Sequence, residues 1–129
     1  MMEVGHLCRY ARRFREARDI FQGIATLLHV RDTADLALAA VAFDEHKFDE
    51  AEMLCRRVLH NDKRNVSAYT QLAEIHIGRN HPADARKALK MARDLRPAEP
   101  VASLVNALQR LTELQLTLEQ TANRRGATR

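Results

Sequence analysis

Apolar and small residues fall in a fixed register along this chain. Three segments, Phe14-Arg15-Glu16-Ala17, Phe48-Asp49-Glu50-Ala51 and Pro82-Ala83-Asp84-Ala85, place an alanine every 34 residues. Twelve positions before each alanine stands another small residue (Gly5, Ala39 and Ala73), itself preceded by apolar Val4, Leu38 and Leu72. Four positions after come Phe21, Cys55 and Leu89, and seven after come Ile24, Val58 and Ala92. These offsets suit helices packed in pairs, with small side chains where two helices cross closely and larger ones in the flanking layers. The period stops after Pro97. Beyond Pro100, Val101, Leu104, Leu108, Leu111 and Leu118 follow one another at helical spacing.

A helix–turn–helix unit of this length resembles the tetratricopeptide repeat. The register reads as repeats over 1–31, 32–65 and 66–99, and Pro97 stands where that family usually carries proline. Counted back, the first repeat would begin before Met1, so its first helix is expected to be clipped or frayed. Helices are predicted near 2–10, 14–28, 33–44, 48–60, 67–78 and 82–95, with loops at Ala11-Arg12-Arg13, Glu45-His46-Lys47 and Arg79-Asn80-His81. Asp32 and Asn65 are candidate N-caps, and Pro82 suits a first helical turn, where a missing N–H costs nothing. A seventh helix over 100–120 would cap the open face of the last repeat. Residues 121–129, without periodicity, read as a disordered basic tail. The expectation is an all-α, tetratricopeptide-like superhelix forming one domain over 1–120.

Composition agrees with that reading. The chain has 129 residues, no Trp, 5% aromatics, 4 Gly and 3 Pro, too few turn residues for a strand-rich fold. Its net charge of +4 raises the question of nucleic acid. The distribution argues otherwise. Six Arg oppose three acids in 1–31, twelve bases oppose fourteen acids in 32–121, and Arg124, Arg125 and Arg129 end the chain. The densest cluster, Arg9, Arg12, Arg13, Arg15 and Arg18, reads as a solvated helical face with few aromatics to stack bases. No nucleic-acid partner is expected. Nor is membrane insertion, since no stretch approaches the ~20 apolar residues a span requires. Two cysteines, Cys8 and Cys55, suggest neither a disulfide framework nor a zinc site, and a reducing cytoplasm is the expected compartment.

Catalysis finds no support in the motifs. There is no phosphate loop, nucleophile elbow or HExxH, and both cysteines fall at packing positions. The six histidines are His6, His29, His46, His60, His76 and His81, and no two share i, i+4 spacing. His76 and His81 flank a turn near Glu74 and Asp84, and read as solvated groups at helix ends. Neither metal nor cofactor is expected.

Likeness to the repeat family implies a binding groove lined by the first helix of each pair. Carried onto this chain, the lining positions are Met2, His6, Arg9 and Tyr10; then Thr33, Leu36, Ala40, Phe43 and Asp44; then Ser67, Thr70, Glu74 and Ile77. Such a trough, partly apolar and edged with charge, suits an extended or helical segment with apolar anchors. The clamp that some members use for a C-terminal carboxylate needs Lys, Asn and Arg. Those places hold Met2, His6, Ala37, Ser67 and Gln71 here.

Within the superfamily the chain resembles the small cytoplasmic chaperones of bacterial type III secretion. The likeness rests on Arg13-Phe14-Arg15-Glu16-Ala17-Arg18-Asp19-Ile20-Phe21-Gln22, on the count of three repeats, and on the Leu-rich helix over 101–120. It implies a non-enzymatic chaperone that shields an aggregation-prone translocator, needle or filament subunit before export, with a homodimer left open. The alternative is a generic adaptor that bridges folded proteins in a bacterial assembly.

Overall fold

Of the three alanines in the 34-residue period, Ala51 and Ala85 are buried where helices cross, while Ala17 is exposed on a single helix. In the computed structural model the described residues are 2–127, and the side chains of 2–12, 14, 18, 21, 25 and 127 fall outside the description. Five helices follow in order: α1 (Met2–Asp44), α2 (Phe48–Asn61), α3 (Val66–Gly78), α4 (Pro82–Asp94) and α5 (Val101–Ala127). Among the described residues there is no strand. The fold is all-α, as the register predicts.

The chain divides into two units, Met1–Ala34 and Asp35–Arg129, where the repeat arithmetic expects one domain over 1–120. The first unit is a single helical stretch of α1 that leaves Ile20, Leu27 and Val30 exposed. The second unit holds the core. Ala39, Ala42, Ala51, Leu54, Cys55, Leu72, Ala73, Ile75, Leu89, Ala92, Val105 and Leu108 pack there in one buried cluster. The end of α1 pairs with α2, α3 pairs with α4, and α5 closes over α4 and the end of α3. Gln115 Nε2 donates to the Ile77 carbonyl at 3.1 Å, and Arg86 grips Glu113 through both carboxylate oxygens, each at 2.9 Å. Arg57 fastens α2 to α1 through a two-pronged pair with buried Asp35, at 2.9 and 2.7 Å.

Of the connections in this unit, the turns from α1 to α2 and from α3 to α4 are built alike, one repeat apart. Lys47 N–H donates to the Ala42 carbonyl and His46 N–H to Phe43; 34 residues on, His81 N–H donates to His76 and Asn80 N–H to Ile77. These are the closures of a Schellman turn, which needs a left-handed residue after the helix. His46 and Asn80 supply it, at φ 61° and 62°. At the starts of helices, Asn65 Oδ1 accepts from Ala68 N–H at 3.1 Å, and Pro82 occupies the first turn of α4. Both match the expected caps.

Three expectations are overturned. The first repeat is no hairpin, because α1 runs unbroken through Ala11-Arg12-Arg13 and through Asp32, which therefore caps nothing. Ala and Arg are strong helix formers, and nothing like Asn80 stands at 11–13 to turn the chain. Met2–Asp44 also holds no proline that would break it. Residues 121–127 are helical, not disordered: α5 continues to Ala127, with Arg124 and Arg125 in its last turn, where cations complement the helix dipole.

The turn makes a testable demand. Asn80→Gly should leave stability unchanged or raise it, whereas Asn80→Val should cost about 1–3 kcal/mol, because a β-branched residue is strained at positive φ. Urea midpoints of the two variants check this; equal midpoints would refute it.

Candidate protein-binding groove

The end of α1 and α3 run side by side through small residues, and this leaves a trough. Ala39 and Ala73, one repeat apart, are both buried at the crossing. Beside them lies a cavity of about 130 Å³ lined by Ala39, Ala40, Phe43, Asp44, Gln71, Glu74 and Ile75. Phe43 forms its apolar wall. The ring is half-buried against the core and meets Phe48 edge-on, with centroids 5.7 Å apart at 63°. Gly78 admits this approach, since a Cβ there would lie 2.9 Å from Phe43 Cε2 and 3.3 Å from Phe48 Cε1.

Glu74 forms the polar wall. It is half-buried and makes no hydrogen bond or ion pair among the described residues, and burial alone pushes its carboxyl above the ordinary value. A carboxylate held in a partly apolar cleft without a partner is a natural receiver for a cation on a ligand.

Of the thirteen predicted groove residues, four line this cavity: Ala40, Phe43, Asp44 and Glu74. The side chains of Met2, His6, Arg9 and Tyr10 lie outside the described residues. Thr33 is exposed in the first unit, where its hydroxyl donates to the His29 carbonyl at 2.9 Å. Leu36 and Ile77 pack, half-buried, against the core, and Ser67 is exposed. Thr70 corrects the expectation. It is only 4% exposed and its hydroxyl donates to the Val66 carbonyl at 2.8 Å, so it faces inward. Two further lining residues on α3 lie outside the predicted set: Gln71, one helical turn before Glu74, a neighbour that helical spacing could have supplied, and Ile75, next to Glu74 in the chain.

This architecture is matched by the family profile for the tetratricopeptide repeat, which covers residues 42–116, more than half of the chain. The chain belongs to the tetratricopeptide-repeat family. No curated protein and no solved structure matches it. Tetratricopeptide repeats are protein-binding modules, so this domain's partner is a protein. No helix among the described residues is long and apolar enough to cross a membrane.

The packing role of Cys55 is confirmed. The thiol is buried in the repeat's helix crossing, 3.6 Å from Gln71 Oε1, and is pushed up to about 12, first by burial and then by the Glu52 and Glu74 carboxylates. A second, more open depression of about 640 Å³ lies over α2, α3 and α4, and His76, His81 and Asp84 are among its lining residues. The i, i+4 criterion overlooks these three because a turn, not a helix face, unites them.

With so little thiolate, Cys55 should resist alkylation in the folded tetratricopeptide domain and react only on unfolding. Iodoacetamide labelling with peptide mass mapping, in buffer and in denaturant, checks this; rapid native labelling of Cys55 would contradict it.

Proposed function

We propose that the protein is an export chaperone that binds a client segment carrying an apolar anchor beside a basic residue. The observation that carries this reading is the cavity between α1 and α3, where the Phe43 ring stands opposite the unpaired, half-buried Glu74. An apolar side chain of the client would bury against Phe43 and Ala40. A Lys or Arg next to it would relieve the desolvated carboxylate. The client class, a translocator, needle or filament subunit held soluble in the cytoplasm before type III secretion, is supported by the likeness over residues 13–22 and by the Leu-rich helix after the third repeat.

An adaptor role that bridges folded proteins is the second reading. Leu111, Leu114 and Leu118, exposed on α5, favour it. Such a partner would dock on α5 and leave the groove substitutions near neutral.

Co-expression with candidate exported subunits separates the two. Phe43→Glu, Leu36→Glu and the exposed Ala40→Glu should each lose the soluble complex, a loss of about 2 kcal/mol or more. Circular dichroism confirms that each variant is folded, which matters most for the half-buried Phe43 and Leu36. Complex formation unchanged in folded Ala40→Glu and Phe43→Glu would reject the groove, and loss only on Leu111→Glu or Leu118→Glu would establish the adaptor.

Glu74 yields a prediction of opposite sign for stability and binding. Its folded pKa lies above the unfolded value of about 4.5, so the fold takes up a proton there. The stabilisation is present at low pH and is lost as pH rises through the folded pKa. Glu74→Gln should therefore raise the melting temperature at neutral pH while weakening client capture. A lowered melting temperature would show that the carboxylate serves the fold instead.

A further inference from the structure

We propose that His76, His81 and Asp84 form a binding site for a divalent transition metal of the zinc class. The three residues meet at the turn between α3 and α4. His76 lies in the last turn of α3, His81 is the residue before α4, and Asp84 is in the first turn of α4. Backbone hydrogen bonds hold this framework: His81 N–H donates to the carbonyl of His76 at 2.8 Å, and Ala85 N–H donates to that of His81 at 3.2 Å. A donor atom from each of the three side chains lies within 4.8 Å of the other two. Tetrahedral zinc needs donors about 3.3 Å apart. His81 and Asp84 are exposed, and their side chains would change rotamer to close that gap.

Independent support comes from His76 itself. The side chain is 6% exposed, yet its Nδ1 is buried with no hydrogen-bond partner. A buried imidazole normally finds a partner for each nitrogen, and an orphan signals an absent one.

The donor set defines the ion. Two imidazole nitrogens and one carboxylate suit zinc, cobalt or nickel and disfavour calcium and magnesium, which prefer oxygen. Three protein donors leave a fourth position open to water or to a side chain of a partner. The charges nearby are mixed. Arg56 and Arg79 stand close to His76, but Arg56 is engaged by Glu52, and Arg79 by both Asp49 and Glu52. Those guanidiniums oppose a bound cation, so the site is weaker than a structural zinc centre. The site lies in the depression over α2, α3 and α4, away from the Phe43–Glu74 cavity, and does not depend on that cavity's role.

Calorimetric titration of the chelator-treated full chain with zinc chloride tests this, with calcium chloride as the comparison. One equivalent of zinc should bind and calcium should not. His81→Ala and Asp84→Asn, both at exposed positions, should each weaken zinc at least tenfold, while His60→Ala leaves it unchanged. Cobalt should give the visible absorption of a nitrogen- and oxygen-ligated site, and both variants should lose it. Absence of zinc binding, equal affinity in the two ligand variants, or loss in His60→Ala would overturn the assignment.

Discussion

Close crossing of helices through alanine is the constraint on which everything else rests. Ala39 and Ala73 stand at one crossing position of successive repeats, Ala51 and Ala85 at another, and all four are buried. A methyl group lets two helix backbones approach, and the larger Cys55, Val58 and Leu89 then fill the layer beside them. Enlarging a crossing alanine would force rotamers or backbones apart, at about 1–3 kcal/mol per site. A cleft opens between α1 and α3, and a depression forms over α2, α3 and α4.

The turns convert this regularity into two different sites. Each ends its helix by the same pair of backbone hydrogen bonds and a left-handed residue. The first turn brings Phe48 back against Phe43 and stiffens the wall of the cleft. The second, identical in backbone, brings His81 and Asp84 to His76. A constant scaffold with changed side chains thus presents an apolar surface at one turn and a donor set at the next, which is how repeat folds come to host unrelated functions.

Much of this was legible beforehand, where the determinant is local. The Asn65 cap, the Pro82 start and the burial of Cys55 depend on groups within a turn or on the repeat register, and each was read correctly. The expected break at 11–13 failed because the register marks where a turn belongs, not whether the residues there can make one. The tail failed for a related reason: aperiodic 121–127 carries no outward sign of helix, yet joins a helix already nucleated, and extension costs far less than initiation. Thr70 holds a groove position in the family's numbering but points inward, since that numbering does not resolve which side of a helix a neighbour covers.

By itself, the amino-acid sequence determined the class of fold, the period and most helix limits in residues 45–100. Spacing of small and apolar side chains and local capping chemistry are intrinsic to the chain. Only the tertiary structure decided that the first repeat is one helix, that Glu74 is left half-buried without a partner, and that His76, His81 and Asp84 converge. Each of these turns on how distant or turn-separated groups share space and solvent. A one-dimensional pattern records periodicity; burial and convergence arise only when the helices pack.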